Sequence, residues 1–330
     1  METIQLGTSG LKPTRIALGT WAIGGWMWGG TEKEQAIATI LSALERGINI
    51  IDTAPVYGLG EAEAIVGEAL RRHGRRNEVL IATKVGLSWN DKGTVVRDSR
   101  PERIRTEVTD SLKRLGVEAI DLYQVHWPDP LVPIEETAHT LAKLREEGKI
   151  RAIGVSNYNV TQLEAFAAAA PLHSLQPPYN IFERAIEQDI LPWCRAHKLA
   201  VLAYGALCRG LLSGKVTAER KYAGDDLRNT DPKFQPGRLE QYLAAVTRLD
   251  RLAKERYGKT VLALAIRFIL DREPNSIALW GARRPDQLDA LEDVMGWHLD
   301  QEALVAIDAI LAEEIHDPVG PEFMAPGVRR

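Results

Sequence analysis

Four side chains that can move a proton to or from an oxygen occupy equivalent places in the chain: Asp52, Tyr57, Lys84 and His126. Asp52 closes a largely apolar run over 48–51, and Tyr57 follows in a segment broken by Pro55 and Gly58. Lys84 closes the run 79–83, and His126 closes 120–125. Ser156 and Asn157 close 150–155, and Tyr204 closes 199–203. A short apolar run bounded by turn residues reads as a buried strand. In a parallel sheet, all of these groups would share the C-terminal edge, where barrel enzymes place their chemistry. One polar residue ending one strand is most often a cap or a surface charge. Several in register point to a site for proton transfer.

The elements needed to hold such a site are legible in order. Residues 4–18 read as a small β-hairpin with its turn at Gly7, Thr8, Ser9 and Gly10, capping the bottom of a barrel. The first core strand runs to Gly19 and is followed by Thr20, Trp21 and a loop rich in glycine and tryptophan. Thr31 and Glu34 make a capping-box pattern that opens a helix stopped by Gly47. Further helices are expected over 61–72, 99–115, 134–147, 161–170, 185–197 and 259–271, alternating with strands. A short strand at 174–177 and an eighth at 277–280 complete the count. Strict alternation argues a parallel sheet with helices outside, and eight units argue a closed (β/α)8 TIM barrel of class α/β. No GxGxxG turn follows the first strand, as an open dinucleotide-binding sheet would require. With no linker to split it, 1–330 reads as a single domain. Residues 299–313 read as an extra C-terminal helix, and 316–330 as a loose tail. The long irregular stretch 205–236 is the kind of loop that carries function.

Composition excludes several classes. The 330 residues carry a formal charge of -4, with 45% hydrophobic and 26% charged residues. Basic residues are dispersed, which disfavours a nucleic-acid partner. No apolar run approaches the ~20 residues of a membrane span. Two cysteines make no disulfide framework, and no secretory signal is read, so a cytoplasmic protein is expected. No metal site and no obligate protein partner are inferred.

The residues resemble the aldo-keto reductases over nearly the whole chain. The matching segments are Asp52, Thr53, Ala54, Tyr57 and Gly58 with Glu63 and Gly67; Lys84; Asp121, Leu122, Tyr123 and His126; Gly154 to Asn157; Gln176, Pro178, Tyr179 and Asn180; and Tyr204 through Lys215. The segments at 225–234 and 281–284 are similar to the bacterial general-stress and inositol-linked branch. The resemblance implies reversible NADPH-dependent reduction of aldehydes and ketones by hydride transfer. Tyr57 would be the general acid or base, Lys84 would lower its pKa, Asp52 would hold Lys84, and His126 would orient the carbonyl. It also implies a cofactor site formed by Thr20, Trp21, Ser156, Asn157, Gln176, Tyr204, Gly205, Ala206, Leu207, Cys208, Gly210, Leu211, Lys215, Arg228, Gly281, Arg283 and Gln287. Tyr204 would stack on the nicotinamide, and the arginine at 283 would take a 2'-phosphate, favouring NADPH over NADH.

Two departures are visible. Ala290 and Leu291 stand where many family members have a Glu-Asn pair reading the adenine. Gly281 stands where some branches have a phosphate-binding lysine. Trp21, Val56, Trp89 and Trp127, just past strand ends, would make a narrow slot for small polar aldehydes and the corresponding alcohols. Two other readings compete. One is an auxiliary NADPH-binding subunit with slow turnover. The other is a Schiff-base enzyme using Lys84.

Overall fold

The computed structural model describes residues 1–329. Its strands and helices alternate as β1 (Ile16–Gly19), α1 (Lys33–Glu45), β2 (Ile50–Asp52), α2 (Glu61–His73) and β3 (Leu80–Val85). A hairpin of β4 (Leu87–Trp89) and β5 (Val95–Arg97) comes next, then α3 (Pro101–Leu115), β6 (Ile120–Val125), α4 (Ile134–Glu146), β7 (Ile150–Ser156) and α5 (Val160–Ala169). The remainder is β8 (Ser174–Gln176), α6 (Ile190–Ala196), β9 (Ala200–Ala203), α7 (Leu239–Tyr257), α8 (Val261–Arg272), β10 (Ser276–Gly281), α9 (Gln301–Glu314) and β11 (Gly327–Val328). Eight strands close a parallel barrel in the order β1-β10-β9-β8-β7-β6-β3-β2, and β11-β5-β4 form a separate small sheet. This is the expected (β/α)8 barrel.

Local chemistry accounts for many helix ends. Pro101 lies in the first turn of α3, and Gly116 closes that helix in the left-handed region at φ 67°. Asn159 and Gln162 make a reciprocal capping box on α5. Thr260 and Asp300 each accept a backbone N–H in the first turn of α8 and α9. The capping box expected at Thr31 is not formed. Its hydroxyl donates to the Ile23 carbonyl instead, and α1 starts one residue past Glu32 without a side-chain cap. The helix expected over 185–197 is split, because Asp189 caps Ile190 and restarts it.

The interior of the barrel is apolar at its N-terminal end. Ala17, Ile50, Ala82, Leu122, Ala152, Ala200, Leu202, Ile277 and Leu279 pack there with Leu6 and Leu11 of the N-terminal hairpin. That hairpin is held by Ile4 N–H to Pro13 O (3.0 Å) and Leu6 N–H to Leu11 O (2.9 Å). Burying a leucine is worth roughly 1.5–3 kcal/mol, so its two leucines anchor it as the expected plug. Asp52, Lys84 and Gln124 lie above this apolar layer.

Of the tail expected to be loose, residues 316–329 are held in place; Arg330 lies outside the described residues. Segment 316–329 contributes β11, which pairs in parallel with β5 through Gly327 beside Val96 and Val328 beside Arg97. No helix of the described residues is long and apolar enough to cross a membrane.

Candidate active site

Register brings the proton-transfer groups together. Asp52 ends β2, Lys84 lies one residue from the end of β3, and Lys84 pairs across to Gln124 on β6. All three side chains are buried. Lys84 Nζ donates to Asp52 Oδ1 (2.6 Å), the Thr53 carbonyl (3.0 Å) and the Tyr57 hydroxyl (3.2 Å). The other Asp52 oxygen accepts from the amides of Gln176 (2.8 Å) and Gln124 (3.2 Å). A buried ion pair is stable only when its remaining donors and acceptors are also satisfied, and here they are. With all three ammonium protons engaged, Lys84 offers neither a lone pair nor an approach for Schiff-base formation.

Tyr57 sits above this base. Its ring lies 6.0 Å from that of Trp21 in a near-parallel stack and 5.8 Å from that of His126, edge-on. Gly24 permits the loop after β1 to cross the Tyr57 backbone, since a Cβ there would come within 2.7 Å of Tyr57 carbonyl carbon. Burial, with the Asp52 carboxylate behind it, pushes the Tyr57 phenol well above its ordinary value. The expected lowering by Lys84 is therefore outweighed, because desolvation disfavours the phenolate more strongly. Burial also pulls Lys84 down, opposed by Asp52. Burial, then the Lys84 charge, hold His126 well below its ordinary value, so the imidazole is neutral. The set is a protonated phenol beside a neutral imidazole, with Lys84 Nζ 3.2 Å from the phenol oxygen.

These groups open into one cavity of about 780 Å³. Of the sequence-predicted residues, Thr20, Trp21, Asp52, Val56, Tyr57, His126, Trp127, Ser156, Asn157, Gln176, Tyr204, Gly205, Ala206, Leu207, Gly210, Lys215, Arg228, Gly281, Arg283 and Gln287 line it. Four do not. Lys84 lies beneath Tyr57, while Cys208 and Leu211 are buried in the outer core. Trp89 packs against the apolar cluster that contains Val56, Tyr57 and Leu87, with the Arg103 guanidinium 5.8 Å from its ring centroid. Trp89, expected in the slot just past a strand end, lies instead in the β4–β5 hairpin.

Residues 205–213 follow β9 and cross the cavity wall. Cys208, Arg209 and Gly210 all have positive φ (46°, 52° and 98°). Such a run of left-handed residues persists only when its surroundings enforce it. Arg209 supplies the enforcement: its guanidinium donates to Glu183 (2.6 Å) and Asp231 (2.8 Å), and Lys233 pairs with the same Glu183 at 2.8 Å. The two cations hold the Glu183 carboxyl down at about 2 against its burial.

The cavity can accept a nicotinamide dinucleotide. The Tyr204 ring lines it, with the hydroxyl donating to Asn157 (2.9 Å), and Asn157 donates to the His126 carbonyl (3.0 Å). Lys215, Arg220, Arg228, Arg283 and Arg284 bring five cationic side chains to its wall. Arg283 Nη1 donates to the Trp28 carbonyl at 2.8 Å and Nη2 to that of Gly30, while Arg284 pairs with Asp286 and Arg228 with Asp226. Gln287 accepts from the backbone N–H of Arg283 at 2.7 Å, fixing the turn.

The model of the aldo/keto reductase family matches residues 15–312. The chain belongs to this family. Aldo-keto reductase YhdN of Bacillus subtilis (strain 168) is 55% identical over 329 residues, covering 100% of this chain and 99% of the relative. NADH-specific methylglyoxal reductase of Escherichia coli (strain K12) is 38% identical over 302 residues, with 87% and 91% covered. The solved structure of glycerol dehydrogenase AKR11B4 from Gluconobacter oxydans superposes with a TM-score of 0.88 at 53% identity, covering 98% of this chain and 99% of that one. This aldo-keto reductase is thus an oxidoreductase of a family that uses NAD(P)H on small molecules.

Sequence reasoning missed Gln124, Arg209 and the segment Phe323 to Pro326, all placed at the site. Gln124 was accessible to it: period two from His126 puts both on one side of their strand. Arg209 sat inside a quoted motif without an assigned role.

Proposed function

We propose that this enzyme reduces small aldehydes and ketones reversibly to alcohols, with NADPH as its preferred cofactor. The observation that carries the reading is the Tyr57 hydroxyl, 3.2 Å from Lys84 Nζ at the floor of the cavity. The reduced nicotinamide supplies the hydride when bound. Tyr204 would face its ring, and Ser156, Asn157 and Gln176 its carboxamide. His126 would donate to the carbonyl oxygen and orient it, and Tyr57 would give that oxygen its proton. Lys84, held by Asp52, would then stabilise the phenolate. In oxidation Tyr57 would take the proton back.

Trp21, Val56 and Trp127 leave a slot suited to small polar carbonyl compounds. The Trp21 Nε1–H is buried without a partner among the described residues and could meet a substrate hydroxyl. The names of two relatives, a glycerol dehydrogenase and a methylglyoxal reductase, agree with small substrates. The cationic wall supports NADPH, although one relative is NADH-specific. Arg283 has five N–H donors and spends two on carbonyls, leaving others for a phosphate. Steady-state assays with each nucleotide and a glyceraldehyde-sized aldehyde test the reading; no turnover with either nucleotide would refute it. Arg283→Ala should weaken NADPH binding by about 1.5–3 kcal/mol and barely change NADH binding. Equal losses, measured by titration, would make Arg283 a brace for the glycine/tryptophan loop only.

The pH dependence follows from the shifts. The phenol is protonated through neutrality, so reduction should stay level and decline only above the ordinary tyrosine value of about 10. Oxidation needs the phenolate and should climb with pH. A reduction profile collapsing near pH 6.5, the ordinary histidine value, would mean that His126 titrates as the acid.

A further inference from the structure

Segment 320–329 runs from the ion cluster around Glu183, along the cavity, to the β4–β5 hairpin. At its start the Gly320 carbonyl accepts from Lys233 Nζ at 3.2 Å, in the same ion cluster that holds Arg209. The Arg209 guanidinium lies 5.9 Å from the Phe323 ring centroid. Phe323, Met324, Ala325 and Pro326 then line the cavity together with Trp21 and Trp127. Arg97 Nε donates to the Pro326 carbonyl at 3.1 Å, and β11 adds two residues to β5. Finally Arg329 enters between two acids: Nη2 lies 3.0 Å from Asp129 Oδ2, and Nη1 contacts Asp98 Oδ1.

These contacts are unequal in strength. A two-residue strand adds little by itself, and residues 321–328 bury little apolar surface, since none of them is fully buried. The acids beneath Arg329 are different. The side chains of Asp98 and Asp129 are 4% and 0% exposed. Asp98 has Arg100 as a second partner. Asp129 accepts the Ser99 and Leu131 backbone N–H groups, and Arg329 is its one ion-pair partner among the described residues. A pair over buried carboxylates is not the weak exposed kind, because removing the cation leaves a charge buried.

We propose that Arg329 is a specificity-determining latch: seated between Asp98 and Asp129, it holds residues 323–326 in place as a wall of the substrate slot and so excludes bulky carbonyl compounds. The specificity part rests on the carbonyl-reductase reading above. Without the latch only the Arg97–Pro326 bond and the two-residue strand hold the segment beyond Gly320, and these weaker contacts let it move outward and widen the slot. Arg329 touches no reacting atom, so it acts by positioning.

The test compares the full chain with Arg329→Ala and Arg329→Lys. Hydrogen exchange of peptides covering 321–328 reads the latch without turnover. The ratio of kcat/KM for a bulky aryl ketone to that for glyceraldehyde reads the wall. In the alanine variant, exchange of 321–328 should speed about tenfold or more, and the ratio should rise about tenfold, through a lower KM for the ketone. The lysine variant keeps the charge but loses the fork that spans both acids, so both readouts should fall between those of wild type and the alanine variant; a lysine variant no better than alanine in both would overturn the charge as the holding force. Unchanged exchange in the alanine variant would overturn the latch. Faster exchange with an unchanged ratio would overturn the wall. A wild type that reduces neither compound would instead defeat the carbonyl reading and its specificity role, while exchange would still judge the latch.

Discussion

Tyr57→Phe is expected to lower kcat/KM for carbonyl reduction by about 10²- to 10⁴-fold, the scale of a positioned proton donor, and to leave nucleotide affinity nearly unchanged. The substitution removes one oxygen and keeps the ring. The stack on Trp21 at 6.0 Å and the edge contact with His126 at 5.8 Å are ring contacts that phenylalanine can retain. Lys84 loses one of three acceptors but keeps Asp52 and the Thr53 carbonyl. The fold beneath the site therefore stays as it was, and the lost rate reports the proton. His126 is a poor substitute donor, because burial keeps it neutral and holds its remaining proton tightly. A variant retaining more than about a third of the wild-type rate would remove Tyr57 from the mechanism.

Lys84→Met should cost both activity and stability. The methionine fills most of the volume but leaves the Asp52 carboxylate, 3% exposed, with only the amides of Gln124 and Gln176. An uncompensated buried charge of this kind destabilises by about 3–5 kcal/mol. Activity should fall by ~10² or more, since nothing then stabilises the phenolate that Tyr57 becomes. The double variant Lys84→Met with Asp52→Asn separates the two effects. It removes both charges, so much of the stability should return while the rate stays low. Denaturant unfolding and steady-state assays of the four proteins complete the cycle. Recovery of rate along with stability would mean that Lys84 only neutralises Asp52.

The catalytic set was legible because each member follows an apolar run, and parallel strands turn that sequence event into a shared edge. Lys84 and Asp52 are 32 residues apart, yet the strand-helix alternation alone predicts their approach. The C-terminal segment obeys no such rule. It has neither periodicity nor an apolar run, and its position is set by Arg329 with Asp98, 231 residues away, and Arg97 with Pro326, 229 residues away. Thr31 failed for a related reason: a capping box is a local prior, and the Ile23 carbonyl offered its hydroxyl a tertiary partner. Trp89 was placed by strand position, but it lies in the β4–β5 hairpin, where its ring meets Arg103 of α3 and stays off the cavity wall. The phenol's acidity was misjudged for a similar reason: the cation beside Tyr57 is readable from sequence, whereas the depth of its burial is not.

The most direct test of Tyr57 as the proton donor in a hydride-transfer reaction is a single turnover. Enzyme in excess, loaded with reduced nucleotide, is mixed with a small aldehyde, and the nicotinamide absorbance is followed for wild type and Tyr57→Phe. The account predicts that both proteins bind the nucleotide alike, that wild type oxidises it in a fast phase, and that the variant does so at least about 10²-fold more slowly. A fast phase of equal rate in both proteins would contradict it.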